Sequence, residues 1–304
     1  MIPDVLFWFY KDFDTCQKRL QRLRRLNQDI HIFALYGGDP DDADTAQNAI
    51  QEWVDDFYVY PYEKDPKWKW KHGDQMMATW YIERGRHLQW DTIFIMQWDM
   101  LIYDPLERLF CTLQSNEILL SGFRSIHKIS SWWPWADSKD PDLSSFKDWL
   151  HRQFNYDGEL FACLFIVVCL PRIFLDKYVE VGHPEAGFLE YKIPTLAHIF
   201  DIPVCHQHGF EPWWAADPAT RNAPGHQRTL NAVGQEIPLS VILRELTKDN
   251  GKRIFHPVFR TIPAWMENPI SARILCYSYL LPMMEISLRS VKKLKQYAKK
   301  LTRS

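Results

Sequence analysis

The stretch Trp90-Asp91-Thr92-Ile93-Phe94-Ile95-Met96-Gln97-Trp98-Asp99 narrows the fold more than any other part of the chain. Residues 92–96 are largely apolar and rich in β-branched side chains, without polar alternation. The strand they predict must be covered on both faces, as inside a parallel sheet flanked by helices. Asp99 falls just past its C-terminal end. In open α/β sheets, ligands gather at the carboxyl ends of strands. A carboxylate there suits a divalent cation, and such a cation suits a diphosphate.

The preceding residues alternate as such a sheet requires. Residues 5–10 predict a strand, and 13–26 a helix with Cys16, Leu20, Leu23 and Leu26 on one face and Lys18, Arg19, Arg22 and Arg25 off it. Residues 30–36 predict a second strand, stopped by Gly37-Gly38. A helix over 43–54, a short strand over 56–60 and a helix over 75–85 follow, with Asp74 as an N-cap candidate. This is the pattern of an α/β, Rossmann-like fold with a central, mostly parallel sheet. Beyond it, 118–123 reads as a strand, 130–142 as a loop, and 161–170 as a strand or part of a buried helix. Residues 171–178 and 193–200 read as helices. Residues 207–235, with scattered Pro, Gly and Trp, predict a loop over the active site. The simplest organisation is one domain over 1–270, with a nucleotide-binding half (1–110) and an acceptor half (111–270). A basic helical extension over 271–304 follows.

The 304 residues suffice for one large α/β core. A net charge of −2 argues against a nucleic-acid partner. The six Cys stand singly, at 16, 111, 163, 169, 205 and 276, without the CxxC spacing of a zinc ribbon. No signal peptide and no apolar run of about 18 residues is expected to direct or span a membrane. The cytoplasm is the expected compartment. The extension ends in Lys292, Lys293, Lys295, Lys299, Lys300 and Arg303, a pattern for peripheral contact with the inner face of an anionic membrane, or for a helix packed on the domain or on a second copy. The 14 Trp serve a core or stack on sugar rings, and those at 132, 133, 135, 213 and 214 are candidates to line an acceptor cleft.

The order strand, helix, strand, helix, then an apolar strand with a terminal carboxylate resembles the nucleotide-binding half of the GT-A glycosyltransferases. Their Asp-x-Asp signature is here Gln97-Trp98-Asp99, which lacks the first acid. The run Arg253-Ile254-Phe255-His256-Pro257-Val258-Phe259-Arg260 is similar to the late His-Pro-Val-Lys segment of some GT-A families. The resemblance implies Asp99 and His256 as ligands of Mn²⁺ or Mg²⁺, and Arg260 as a contact to the diphosphate. Glu190-Tyr191-Lys192-Ile193-Pro194-Thr195-Leu196 looks like the segment bearing the general base in certain inverting members. It implies Glu190 in that role, with Glu185 second, and Asp157 with Glu159 as further candidates that also suit sugar hydroxyls. Read alone, Asp99 also fits a turn, and His256 a histidine before a Pro turn.

For the donor, this fold places the nucleotide over the first strand ends, at Tyr10, Lys11, Tyr36 and Gly37. His72 and Asp74 are expected beside ribose or donor sugar, with Gln97 and Trp98 at the signature. The function implied is transfer of a monosaccharide from a UDP- or GDP-sugar to a glycan or lipid-linked acceptor, with inversion. A nucleotidyltransferase of sugar metabolism and a non-catalytic nucleotide-sugar-binding protein are the competing readings. Tyr10-Lys11-Asp12-Phe13-Asp14 lacks the glycine-rich loop that the former usually carries.

Overall fold

The computed structural model describes residues 1–182 and 185–266. The 271–304 extension, with its expected membrane or dimer contact, and the boundary before it lie outside the described residues. In chain order the elements are β1 (Asp4–Phe9), α1 (Phe13–Leu26), β2 (Ile32–Tyr36), α2 (Ala43–Ile50), β3 (Asp56–Val59), α3 (Pro66–Lys71), α4 (Gly73–Glu83) and β4 (Thr92–Gln97). They continue with β5 (Leu101–Ile102), α5 (Leu106–Leu109), β6 (Leu119–Leu120), β7 (Arg124–Ser125), α6 (Pro141–Phe154), β8 (Phe161–Ala162) and β9 (Val168–Pro171). The last are α7 (Arg172–Glu180), α8 (Leu189–Ile199), α9 (Leu239–Thr247) and β10 (Ile254–Phe255).

Six strands form the central sheet in the order β3-β2-β1-β4-β9-β6. β3, β2, β1 and β4 are parallel, and β9 runs against both β4 and β6. The sheet is thus mostly parallel with one reversed strand. β4 is buried from Thr92 to Met96, which is why its sequence shows no polar alternation. β1 and β4 pair in register, with Trp8 opposite Gln97 at their C-terminal ends.

The described residues divide into two compact units, one within 1–237 with 254–261 and the other 238–253 with 262–266. In the smaller unit, Glu245 of α9 accepts from Lys248 Nζ at 2.6 Å and from Lys252 N at 3.2 Å, closing the turn after the helix. All features described below belong to the larger unit.

Several elements depart from their sequence readings. α1 has the expected bounds, but Arg19 and Arg22 are buried rather than solvated. Arg19 Nη2 donates to the carbonyls of Val258 and Arg260 at 3.0 and 2.9 Å, and Arg22 lies over the Tyr103 ring. α4 starts at Gly73 after His72, so Asp74 lies inside its first turn and is not its N-cap. α6 was not anticipated, although Asp140 caps it by accepting from the Asp142 and Leu143 amides and Pro141 opens it. The 161–170 run is two short strands, β8 and β9. No described helix is long and apolar enough to cross a membrane. The five described cysteines are unpaired.

Candidate active site

The site begins with how an acid and an imidazole far apart in sequence meet. β5 and β10 pair antiparallel, with Leu101 opposite Phe255. Asp99 precedes β5 and His256 follows β10, so the hairpin-like pairing carries both to one end. Val258 N–H donates to the Asp99 carbonyl at 2.7 Å and fixes that register. His256 Nε2 then lies 3.3 Å from Asp99 Oδ1. Both atoms are buried and lack an aligned hydrogen-bond partner.

The other nitrogen of His256, Nδ1, is 2.8 Å from the Asn231 carbonyl. A carbonyl only accepts, so Nδ1 carries the hydrogen and the neutral ring points its Nε2 lone pair at Asp99. Burial works against a charge on this ring, but the Asp99 carboxylate and the Asn231 carbonyl outweigh it and raise its pKa above the ordinary histidine value. Nε2 therefore takes either a proton or a cation. Two ligands at right angles on an octahedral Mg²⁺-sized ion stand about 3 Å apart, so the Asp99–His256 separation fits a shared ion. The carbonyl behind Nδ1 is the usual outer-shell partner of a metal-binding histidine. Among the described residues no group of three or more His, Cys, Asp or Glu surrounds one point. An ion here would complete its shell with water and phosphate oxygens, as Mg²⁺ usually does.

His256 also lines a small cavity of about 80 Å³ together with Trp8, Gln97, Trp70, Phe188 and Glu190. Glu190 reaches it through a chain of local causes. Pro194 sits inside α8 and has no N–H for the Glu190 carbonyl four residues before it. That carbonyl instead accepts from Cys163 N at 2.8 Å, docking the β8–β9 loop on the start of the helix. The same loop then donates Phe165 N–H to Glu190 Oε1 at 2.9 Å. Burial pushes the Glu190 carboxyl up to about 8, against only a partial lowering by the Phe165 amide. Gln97 is fixed by donating Nε2 to the Phe165 carbonyl at 2.7 Å, which leaves its Oε1 as a spare acceptor.

At the mouth, Trp70, Trp135 and Phe188 form an aromatic group, with ring centroids 4.9 to 5.5 Å apart. Trp70 is half exposed. Trp8 needs Gly73, where a Cβ would fall 2.1 Å from the indole. Trp8 and Trp70 had no periodic signal to mark them. Trp8 stands in an unbroken strand run, and Trp70 in Lys67-Trp68-Lys69-Trp70-Lys71, where the interleaved lysines were the only cue.

The remaining expected site residues divide. Tyr10 is exposed and packs edge-on to Trp98 at 5.9 Å, and Trp98 stacks on Phe259 at 5.9 Å. Lys11 Nζ lies over both Tyr10 and Trp98, at 5.4 and 5.1 Å. Tyr10, Lys11 and Phe259 are exposed around the buried Trp98, the residue before Asp99. Tyr36 is not: it is buried in the core, with its hydroxyl on the Asp39 carbonyl at 3.0 Å. Gly37 faces Met76, whose terminal methyl would clash with a Cβ, and gives its carbonyl to Lys69 at 2.8 Å. Arg260 is exposed, and its Nε and Nη2 donate to the Glu236 carboxylate. Glu185 is exposed and pairs with Lys64 at 3.4 Å; Asp157 is exposed and pairs with His151 at 3.0 Å; neither lines the cavity. Glu159 accepts from the Ser125 hydroxyl. Of the tryptophans expected at a cleft, Trp133 and Trp214 are buried against one another and Trp132 packs on Trp214. Trp213 is buried as well, with Arg228 over its ring, which leaves Trp135 at the mouth.

Asp74 and His72 are buried and do not line the cavity. Asp74 Oδ2 accepts from Lys192 Nζ at 2.7 Å and from the Tyr178 hydroxyl, and both charged side chains are excluded from water. Burial lowers the pKa of His72, and the nearby charge of Lys192 lowers it further. The ion pair ties α8, which bears Glu190, to α4. Lys192→Met leaves Asp74 as an uncompensated buried charge and is expected to cost about 3–5 kcal/mol. Adding Asp74→Asn should return most of it. Urea unfolding of both variants checks this, and an additive double variant would contradict it.

No protein-family model matches the chain, and no curated protein does. Among solved structures it is similar to the galactosyltransferase LgtC in complex with donor and acceptor sugar analogs, at 12% identity over 66% of this chain and 72% of that one, with a TM-score of 0.36. It is similar to a cytidylyltransferase from Leptospira borgpetersenii serovar Hardjo-bovis, at 11% identity, 66% and 71% coverage and TM-score 0.36. A third is the 4-diphosphocytidyl-2C-methyl-D-erythritol synthase from Anaerococcus prevotii, at 8% identity, 66% and 85% coverage and TM-score 0.39. Similarity this low does not separate glycosyl from nucleotidyl transfer, and the reaction has to be read from the site itself.

Proposed function

We propose that this chain is a glycosyltransferase that moves a monosaccharide from a nucleotide-sugar to a hydroxyl acceptor with inversion. The observation that carries this reading is the convergence of Glu190 and His256 on one cavity, with Asp99 facing the imidazole. One end of the site offers paired donors for Mn²⁺ or Mg²⁺. The other offers a desolvated carboxyl beside an aromatic mouth.

In this reading Asp99 and His256 hold the cation, which supplies positive charge to the departing nucleoside diphosphate. Lys11, exposed over the Tyr10 and Trp98 rings, supplies a phosphate contact, as does Arg260 at the end of the His256 segment. The exposed ring of Tyr10 offers a stacking face to the base. Glu190 removes the acceptor proton as the acceptor oxygen bonds to the anomeric carbon and the carbon–oxygen bond to the diphosphate breaks. A carboxyl titrating near working pH suits that proton transfer. Trp70 and Phe188 present ring faces to the C–H face of a sugar, and Gln97 Oε1 accepts from a hydroxyl.

The test is a panel of UDP- and GDP-sugars with and without Mn²⁺, read by thermal shift and by release of nucleoside diphosphate. At ligand about 100-fold above Kd the expected stabilisation is about 2.7 kcal/mol, several degrees in Tm for a chain this long. It should depend on Mn²⁺ for the diphosphates. Release of pyrophosphate from a nucleoside triphosphate and a sugar phosphate would replace this reading with nucleotidyl transfer. Stabilisation without transfer or donor hydrolysis would make the chain a binding protein.

A further inference from the structure

Arg19 of α1 is buried, and its hydrogen bonds go to carbonyls. Nη2 donates to Val258 at 3.0 Å and to Arg260 at 2.9 Å, while Nε has no hydrogen-bond partner among the described residues. A guanidinium stays charged at neutral pH, and an arginine is seldom this buried without a carboxylate against it. The counter-charge here acts through space. Burial and the neighbouring Arg22 lower the pKa of Arg19 to about 10, and Tyr103, Asp99 and Cys16 oppose them. Asp99 is the carboxylate of the three.

The backbone ties the two together. Val258 N–H donates to the Asp99 carbonyl at 2.7 Å, and the carbonyl of the same residue accepts from Arg19. Arg19 thus holds the segment that follows His256, through the carbonyls two and four residues on. The consequence is one of charge. Asp99 and Arg19 sum to zero, and the imidazole of His256 offers a lone pair without charge. A divalent cation between Asp99 and His256 therefore enters a buried place that is not yet negative, near a guanidinium that water screens poorly. Mg²⁺ gives up its water reluctantly and is usually held by one or two carboxylates together with substrate phosphates. The phosphate oxygens of a nucleoside diphosphate bring the missing negative charge.

We infer that Arg19 makes this site a receptor for a cation–diphosphate complex and not for a bare cation: its buried guanidinium disfavours Mn²⁺ or Mg²⁺ at Asp99 and His256 until phosphate oxygens join the shell. The inference rests on the Asp99–His256 cation site of the catalytic reading and adds to it an order of binding. By linkage, the nucleotide and the cation then tighten each other by the same factor.

The experiment is a titration of the full chain with MnCl₂, alone and with UDP or GDP, followed by paramagnetic broadening of the His256 ring signals. In the native chain, Mn²⁺ alone should leave these signals sharp up to millimolar concentration, and Mn²⁺ with one of the nucleotides should broaden them. Arg19→Gln keeps an N–H donor for the two carbonyls and removes the charge. It should bind Mn²⁺ alone about 10- to 100-fold more tightly than the native chain. Arg19→Lys keeps the charge and should behave as the native chain does. This pair separates the charge from the mere scarcity of ligands, which is equal in all three proteins. Circular dichroism checks that each variant is folded. Mn²⁺ that broadens His256 in the native chain equally well with and without nucleotide would overturn the inference and leave the cation site standing, a result that needs no variant. So would a folded Arg19→Gln that still requires nucleotide as the native chain does. No broadening under any combination would remove the cation site itself, and this inference with it.

Discussion

Asp99→Asn is expected to lower transfer by about 10³-fold or more, and to abolish stabilisation by a nucleoside diphosphate with Mn²⁺. The substitution keeps the volume and removes the charge. Asp99 is buried, and its oxygen faces His256 Nε2 without an aligned hydrogen bond. The carboxylate also compensates Arg19, whose pKa burial and the neighbouring Arg22 lower to about 10 while Tyr103 and Asp99 hold it up. The variant should therefore lose some stability, about 1–3 kcal/mol, without unfolding. A second readout is independent of activity. With the carboxylate gone, burial acts on His256 with less opposition, and its pKa should fall from its raised position. NMR titration of the His256 ring checks this. A variant that keeps Mn²⁺-dependent stabilisation, or full turnover, would remove the cation site from the proposal.

How much of this was legible depended on whether a cause was local. β4 could be read because burial on both faces leaves its mark in every residue from Thr92 to Met96. The bounds of α1 could be read from its period, but not the burial of Arg19. A period shows which face is apolar, not which charge will be drawn inside by the carbonyls of Val258 and Arg260, 239 and 241 residues away. The helix expected over 193–200 begins at Leu189 instead, with Pro194 inside it, because the Cys163 amide pairs the Glu190 carbonyl that the proline leaves without an N–H. Tyr36 was placed at the donor by strand order, and Asp74 and Arg260 by the family resemblance. Their actual partners, the Asp39 carbonyl, Lys192 and Glu236, are set by packing. α6 is different, because its signals were present. Asp140-Pro141 is a cap and first turn, and Leu143, Phe146 and Leu150 are its buried face.

Glu190→Gln is expected to separate two effects that share one carboxyl. In the folded chain this group titrates near 8, against an ordinary value of 4.5. Between those values the unfolded chain carries the carboxylate while the folded chain keeps the proton, so the folded state binds more protons. Stability is then fullest below about pH 4.5 and falls as pH rises, until the folded group itself ionises near 8. The whole fall is roughly 5 kcal/mol, an upper value because the cavity admits some water. Gln stays neutral, keeps an oxygen for the Phe165 amide, and should flatten this dependence. Above pH 8 the variant should be the more stable protein, and below pH 5 the two should match. Activity should move the other way. In the native chain kcat/KM rises with pH as the carboxylate forms, whereas Glu190→Gln loses about 10²–10⁴-fold and shows no such limb. A purely structural carboxyl would reproduce the stability profile and leave turnover untouched. A base placed elsewhere would leave the pH–rate limb in the variant. Only a group that is both desolvated by the fold and used on the acceptor proton makes the protein less stable over the pH range in which it becomes more active.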